Sequence, residues 1–140
     1  MKKPKWYNGF AFNKFEEGFD EDWLKTNSAK KEKKKYNKRM KKHRKHFKKH
    51  GWDLTETWNL EQTLSCFIVP RLKGFRDNLH GHPDDLTEEG WKKMLNKMIK
   101  GFEWYSKERE FDDLPQNEKE FKEAQEGLRF FAERFKDLWD

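Results

Sequence analysis

Apolar residues recur at helical spacing in three segments of the second half of the chain. Their steps of three and four positions place each set on one side of an α-helix. The three sets are Leu60, Leu64, Phe67, Ile68, Leu72, Phe75 and Leu79; then Trp91, Met94, Leu95, Met98, Phe102 and Tyr105; then Phe121, Ala124, Leu128, Phe131, Ala132, Phe135, Leu138 and Trp139. We therefore predict three amphipathic helices that bury their apolar sides against one another.

Turn and capping residues predict where these helices begin and end. The first should stop at the His-Gly-His-Pro sequence of residues 80–83, and the second should run from Thr87 as N-cap to about Arg109. The third should run from about Glu118 nearly to the end of the chain. Pro70 should kink the first helix, because proline lacks a backbone donor and crowds the preceding turn. Short connections favour antiparallel neighbours, so the predicted fold is all-α, a small helical bundle of three core helices.

A long basic helix is predicted immediately before Gly51. Residues 28–50 are rich in Lys and Arg, which are good helix formers, and Ser28 or Asn27 could cap the start. An apolar stripe follows a heptad-like line along this segment and consists of Ala29, Tyr36, Met40, His43 and Phe47. The stripe would dock the helix on the bundle while the lysines remain in solvent.

Residues 1–27 form an aromatic and acidic N-terminal arm. Its glycine-punctuated sequence suits either a short hairpin at Asn8-Gly9 or an ordered segment across the bundle. We divide the chain into this arm, the basic helix at 28–50 and the helical bundle at 51–140. Because 140 residues is a usual size for one domain, we expect these parts to form a single domain.

The composition bounds the class and the compartment. Aromatic residues make up 16% of the chain, which is too many for a disordered protein, although 41% of residues are charged. Cys66 is the only cysteine, so no disulfide can form within the chain, in agreement with a reducing compartment. No apolar run approaches the roughly 20 residues of a membrane span, and the start lacks a signal-peptide core. We expect a soluble, cytoplasmic protein without a membrane partner, and exposed aromatics would permit a homo-oligomer.

Charge is the strongest functional signal in the sequence. Between Ala29 and His50, thirteen Lys or Arg stand against a single acid, Glu32. Residues 1–50 carry a formal charge of +12 and residues 51–140 carry −6. Such a density predicts a polyanionic partner, either a nucleic acid or an anionic nucleotide.

Three alternatives account for the same charge. The basic segment could pack against the acidic half of the molecule and be neutralised there. The acids that precede it could fold back over the lysines as an internal mimic of a polyanion; they are Glu16, Glu17, Asp20, Glu21 and Asp22. In a eukaryotic cell the tract would pass for a nuclear-localisation signal.

The candidate binding residues lie in the basic helix and after Pro70. Those of the basic helix are Lys34, Lys38, Arg39, Lys42, Lys45 and Lys49. Arg71 and Arg76 follow the predicted kink, and a bent helix could present them around a concave site for a nucleotide phosphate. Alternatively, Arg71 pairs with an acid of a neighbouring helix and Pro70 shapes only the packing. Contacts of this kind position phosphates and read no base sequence.

Neither the histidines of the basic helix nor the single cysteine forms a complete catalytic or metal-binding motif. His43, His46 and His50 share one side of the basic helix, but the surrounding lysines oppose the binding of a divalent cation. Cys66 lies in an apolar run, where burial would raise the pKa of its thiol and make it inert.

The loop at residues 80–85 is a second candidate metal site. It contains His80, His82, Asp84 and Asp85, although a loop with this Gly-Pro composition is usually a turn. No phosphate-binding glycine loop, dinucleotide pattern or zinc-finger spacing is present anywhere in the sequence. We therefore predict no cofactor, no metal and no catalytic residue, and we do not expect an enzyme.

Two stretches between residues 50 and 140 have distinctive sequences, WNLEQTLSCFIVPRLKGF at 58–75 and GHPDDLTEEGWKKMLNKMIKGF at 81–102. The positions that make them distinctive are Trp58, Leu60, Thr63, Phe67, Ile68, Pro70, Arg71, Leu72 and Phe75, then Gly81, Pro83, Leu86, Thr87, Trp91, Met98, Ile99, Gly101 and Phe102. In these stretches the sequence resembles those of small proteins of unassigned function encoded by bacteriophages and prophages. The resemblance implies a helical core and a host bacterial cytoplasm, and it transfers no active site.

These observations support one leading function and two alternatives. The leading prediction is a non-enzymatic phage-type accessory protein that binds an anionic partner through its basic helix. The first alternative is an oligomeric anti-defence protein that sequesters a nucleotide or inhibits a host protein, with a pocket between helices where Arg71 meets phosphate. The second is a metal-dependent nuclease that uses His80, His82 and the adjacent aspartates.

Overall fold

The computed structural model of the chain describes residues 1–107 and 118–139, and every regular element in this part is helical. The α-helices are α1 (Glu21–Leu24), α2 (Asn27–His50), α3 (Leu60–Asp77), α4 (Glu88–Ser106) and α5 (Glu118–Glu133), with 3-10 turns at Leu54–Thr57 and Phe135–Asp137. The predicted all-α class is confirmed. Contacts between Cα atoms divide the chain into two compact units, an N-terminal unit, Met1–Leu60, and a C-terminal unit, Glu61–Asp140.

The C-terminal unit is organised around a buried apolar cluster contributed by α3 and α4. The cluster consists of Leu72, Trp91, Leu95, Met98, Ile99 and Phe102, and partly buried residues of α5 such as Leu128 and Phe131 pack against it. These residues fall on the predicted apolar sides, with Ile99 as an addition. Helices α4 and α5 bury one side in this cluster, whereas α3 contributes Leu72 and leaves three other residues of its predicted apolar side exposed, Leu60, Leu64 and Phe67.

Two glycines let α4 and α5 approach closely. An ideal Cβ on Gly101 would lie 2.8 Å from the carbonyl oxygen of Ala124 and 3.2 Å from the Cα of Gly127. A Cβ on Gly127 would collide with the carbonyl oxygen of Lys97 and lie 3.1 Å from the Cα of Gly101. The two backbones are in contact at this crossing, and only glycine fits there.

The helix ends agree with the predictions in some places and differ in others. Thr87 caps α4 by accepting a hydrogen bond from the backbone N–H of Gly90 at 3.0 Å, as predicted. Helix α4 ends at Ser106, and the predicted end at Arg109 lies outside the described residues. Helix α5 gives way to a 3-10 turn after Arg134, whose guanidinium forms ion pairs with Asp85 and Asp137. Its α-helical part is thus shorter than predicted.

Helix α2 begins slightly earlier than predicted. Its N-cap is Thr26, not Ser28 or Asn27, because the extended backbone of Thr26 lets its hydroxyl accept the N–H of Ala29 at 3.1 Å. Gly51 ends the helix as predicted, with a φ of 78° that places it in the left-handed region.

The N-terminal arm is a series of turns and not a hairpin. A two-residue hairpin at Asn8-Gly9 would need a positive φ, and in the described residues only Gly18 and Gly51 have one. Instead the side chain of Tyr7 folds under Gly9, where its ring and hydroxyl leave no room for a Cβ. Across residues 1–107 and 118–139, each helix is either too short or too polar to span a lipid bilayer.

Candidate nucleic-acid interface

The exposed side of α2 carries an unbroken stripe of lysines. Lys34, Lys38, Lys42, Lys45 and Lys49 follow one another at steps of four, four, three and four, so they fall within about 80° of the helix circumference. Adding their exposed neighbours on the same side gives what we call the lysine face: Lys30, Lys31, Lys34, Lys35, Lys38, Lys41, Lys42, Lys45, Lys48 and Lys49. At 1.5 Å per residue, α2 is about 36 Å long, and the lysine face covers about 29 Å of it, from Lys30 to Lys49.

Almost all of this charge is uncompensated within the N-terminal unit. The only acid of α2, Glu32, pairs with Lys35 at 3.0 Å and lies outside the stripe. Among residues 1–60, the other nine lysines of the lysine face have no ion-pair partner. Local acids therefore leave the face free to attract an anion.

The predicted internal mimic of a polyanion is not formed by the acidic segment. Of its five acids, only Glu16 pairs with a lysine of α2, Lys33, which lies off the lysine face. Asp20 instead caps α1, and Asp22 pairs with Lys25 at 2.8 Å. The acids lie beside the basic helix and leave its lysine face uncovered.

The side of α2 opposite the lysine face is anchored by the N-terminal arm. Ala29, Met40 and Phe47 are buried there, and Tyr36 and His43 are partly buried. This burial fits the predicted stripe, but the rings that surround Phe47 belong to the arm and not to a bundle: Trp6, Tyr7 and Phe12 lie with centroids 5.2 to 6.4 Å away. The anchoring fixes which side of α2 faces solvent.

Directional hydrogen bonds hold the same contact. The guanidinium of Arg44 donates to the carbonyl oxygen of Ala11 at 2.6 Å. Asp53, which is fully buried, accepts hydrogen bonds from the hydroxyl of Tyr7 and, at 2.6 Å, from the hydroxyl of Thr55. Its Oδ1 lies 3.7 Å from Nδ1 of His43 on α2, so a protonated imidazole would form an ion pair. We call these residues the Asp53 network: Tyr7, Asp53, Thr55 and Glu56.

Burial raises the pKa of two side chains of this network, Tyr7 and Glu56. Burial, followed by the hydrogen bond to Asp53, raises the pKa of the Tyr7 hydroxyl well above its ordinary value. Burial also raises the pKa of the Glu56 carboxyl, which accepts the backbone N–H of Asp53 at 2.8 Å. The network is closed to solvent, and its hydrogen bonds join the arm to the turn at Leu54–Thr57 that follows α2.

Arg39 differs from the five lysines predicted with it. It is exposed, but it lies to one side of the lysine face, with its guanidinium carbon 5.7 Å from the ring centroid of Tyr36. It can still reach a bound polyanion from the edge of the face.

The structure does not bring Arg71 and Arg76 to one site. They are five positions apart on α3 and therefore point about 140° apart around its axis. Arg71 donates to the carbonyl oxygen of Phe67 at 2.7 Å and covers the Phe67 ring at 3.4 Å. Arg76 contacts Asp77 and Asn96, each at 2.8 Å. A shared concave phosphate site on α3 is not supported by these positions.

Sequence reasoning missed Trp52 and its contact with His46. His46 donates from Nδ1 to the carbonyl oxygen of Trp52 at 2.8 Å, and the two ring centroids lie 4.8 Å apart. His50 lies 4.4 Å from His46, and Trp52 is 44% exposed. A tryptophan two positions after the last residue of a basic helix was the available signal. The Asp53 network had one too, since Asp53 followed three positions later by Glu56 is a capping-box spacing.

The C-terminal unit contains an open cleft of about 670 Å³ beside the loop at residues 80–85. Arg134 lies in this cleft and pairs with Asp85 at 2.6 Å and with Asp137 at 3.3 Å. The guanidinium lowers the pKa of the Asp85 carboxyl through a hydrogen bond. In the part of the chain that the structure describes, no three His, Cys, Asp or Glu are placed to hold a metal ion. The geometry thus gives no support to the nuclease alternative.

Cys66 is partly buried on α3. Its Sγ lies 3.7 Å from the carbonyl oxygen of Ser106, and burial raises the pKa of the thiol. A thiol in this state is a poor nucleophile at neutral pH.

Comparisons of this chain with protein-family models, with curated proteins and with solved structures find no match. The physical arrangement of its own residues is therefore the basis for a functional conclusion. The phage resemblance stays a prediction.

Proposed function

We propose that this protein binds the sugar-phosphate backbone of a nucleic acid through the lysine face of α2. The observation that supports this most directly is the row of nine lysines that have no ion-pair partner within the N-terminal unit, along a helix about 36 Å long. Each lysine can approach a different phosphate, and each contact releases condensed counterions. In this proposal the C-terminal helices act as a stable support, in the manner of a phage-type accessory protein without catalytic activity.

The length of the face favours a polymer over a small nucleotide. A mononucleotide carries its phosphates on one short chain and can contact only a few neighbouring lysines. A nucleic-acid strand presents a charge every 3.4 Å along its axis, so it can occupy the whole face. The separation of Arg71 and Arg76 also weakens the case for a compact phosphate pocket on α3. The proposal therefore ranks nucleic acid above an isolated nucleotide.

The test replaces Lys34, Lys38, Lys42, Lys45 and Lys49 with glutamine. Fluorescence anisotropy would follow binding to a labelled single strand and a labelled duplex at several salt concentrations. With about five phosphate contacts, we expect the affinity of the natural chain to fall roughly a hundredfold for the single strand and roughly five-hundredfold for the duplex between 50 and 200 mM salt. The variant should lose most of this dependence.

A matched control removes the same charge from lysines that already have acidic partners. Lys92, Lys93, Lys97, Lys100 and Lys122 each form an ion pair with a glutamate in the C-terminal unit. Their replacement with glutamine should weaken binding far less than the first variant does. Equal effects of the two variants would show that the net charge of the protein, and not the lysine face, determines binding. Absence of binding by the natural chain at 50 mM salt would overturn the proposal. Selective binding of an acidic protein would do the same.

A further inference from the structure

We propose that the lysine face carries a base-stacking site at Trp52, so that the preferred ligand is single-stranded nucleic acid with unpaired bases. This inference rests on the proposed function and adds to it a ligand class and a residue. It predicts that the protein distinguishes a strand with accessible bases from a duplex and from a bare backbone.

The position of Trp52 follows from its contacts with α2. Its carbonyl oxygen accepts the hydrogen bond from Nδ1 of His46, and its ring meets the imidazole of His46 at an interplanar angle of 79°. On a helix surface the neighbours of His46 are the residues three and four positions away, which include Lys42 and Lys49 of the lysine face. The indole is therefore held one side chain away from two phosphate-binding lysines.

The indole is fixed in place without being covered. The ring contact with His46 holds the indole against α2, and the hydrogen bond from His46 holds the backbone carbonyl of Trp52, yet 44% of the residue remains exposed to solvent. A side chain ordered in this way loses little further entropy when a ligand binds. Asp53, the residue that follows, directs its carboxylate into the buried network, so it places no negative charge beside the exposed ring.

Aromatic rings beside a basic groove are the usual means of holding a single strand. The lysines contact the backbone, and each accessible base can stack on an aromatic ring whatever its identity. Bases in a duplex are already stacked on one another and cannot reach such a ring without unpairing. Trp52 should therefore contribute to single-strand affinity alone, whereas the lysine face contributes to every nucleic acid.

The aromatic stack in the acidic segment of the arm does not offer an equivalent site. Phe15, Phe19 and Trp23 are stacked with neighbouring centroids 4.8 to 5.0 Å apart, and Phe19 is 48% exposed. This stack lies among the acids of the arm, which repel phosphates. Charge complementarity thus selects Trp52.

The experiment compares three labelled probes of equal length: a dT20 strand, a 20-base-pair duplex and an abasic strand that has phosphates but no bases. The full chain and its Trp52→Ala and Trp52→Phe variants are titrated with each probe at fixed salt. We expect Trp52→Ala to weaken binding of dT20 about tenfold, because one stacked base contributes on this order. Binding of the duplex and the abasic strand should change less than twofold. Trp52→Phe should retain part of the dT20 affinity.

A matched control is Trp58→Ala. Trp58 is 57% exposed in the same unit, but its ring stacks on Phe10. It does not share the contacts with His46 that join Trp52 to α2. It should leave the affinity for dT20 unchanged, and circular dichroism should show that each variant remains folded. Equal affinity of natural and Trp52→Ala chains for dT20 would overturn the stacking site while leaving the proposed function intact. Absence of binding to all three probes would overturn both.

Discussion

The two units of this protein bury different kinds of side chain. The C-terminal unit has an apolar cluster formed by side chains such as Leu95, Met98 and Phe102 that recur at helical spacing. The N-terminal unit has a smaller set of aromatic rings around a buried carboxylate, Asp53, and much of its order comes from hydrogen bonds between side chains and backbone. An apolar core tolerates changes of similar volume, whereas a hydrogen-bonded network depends on individual atoms. The candidate interface lies on the unit that depends on such atoms.

This difference has a consequence for the lysine face. The N-terminal unit must hold a segment with a large positive charge, and self-repulsion of that charge opposes compaction. The contacts of Phe47, Arg44 and the Asp53 network work against this repulsion on the opposite side of α2. A bound polyanion would remove part of the repulsion, so binding and stability of this unit should rise together.

The largest expected effect is that of Asp53→Ala. The change leaves the hydroxyls of Tyr7 and Thr55 and the backbone N–H of Thr55 without their buried acceptor. Since each unsatisfied buried donor costs about 1 to 3 kcal/mol, we expect a loss of about 3 kcal/mol or more in the free energy of unfolding. Urea denaturation would measure the loss, and hydrogen exchange should locate it in residues 1–60.

Asp20→Ala is the control for this experiment. Asp20 also accepts two backbone N–H groups, those of Asp22 and Trp23, but it does so in solvent at the start of α1. Losing this cap should cost about 1 kcal/mol. If the two alanine variants were equally stable, burial of the Asp53 network would not be what stabilises the N-terminal unit.

An intermediate effect is expected where α4 crosses α5. Gly127→Ala places a Cβ against the carbonyl oxygen of Lys97 and close to Gly101, and both neighbouring atoms belong to backbones. Overpacking of this kind costs about 1 to 3 kcal/mol, which should appear as a lower thermal unfolding midpoint.

The matched control for the helix crossing is Gly74→Ala. Gly74 lies in α3 with no atom within 4 Å of its ideal Cβ position, so alanine there should raise stability by up to about 1 kcal/mol through helix propensity. Opposite signs for the two substitutions would confirm that backbone contact, and not helix propensity, controls the crossing. A stabilising Gly127→Ala would contradict it.

Sequence reasoning predicted the two units unequally. Helices α3 and α4 follow apolar periodicity, and Thr87 and Gly51 were recognised because capping residues act locally. The turns of the arm have no period, and their order depends on contacts such as that between Tyr7 and Asp53, which are 46 positions apart. Neither propensity nor pattern reports a pairing at that separation.

The candidate site shows the same division. The lysine face could be predicted because spacing alone places its residues on one side of a helix. The same spacing places Arg39 beside the face and puts Arg71 and Arg76 on different sides of α3. The attachment of Trp52 to His46, in contrast, depends on contacts that spacing does not report. A charge run therefore predicted where the candidate interface lies, and the structure adds the neighbouring groups that would shape it.

The smallest effect is expected for Glu56→Gln, and it has a defined dependence on pH. Burial raises the pKa of the Glu56 carboxyl in the folded protein, so ionisation of this group opposes folding. Its stabilising contribution is complete below the pKa of the unfolded chain and is lost as the pH rises through the raised pKa of the folded state. Glutamine keeps an acceptor for the backbone N–H of Asp53 without ionising. We therefore expect the variant to gain stability relative to the natural chain as the pH rises from 4 to 7, by less than either preceding change. Urea denaturation would measure the difference in stability between the two chains at each pH. A difference that stays constant over this range would show that Glu56 does not titrate as a buried acid and that water reaches the Asp53 network.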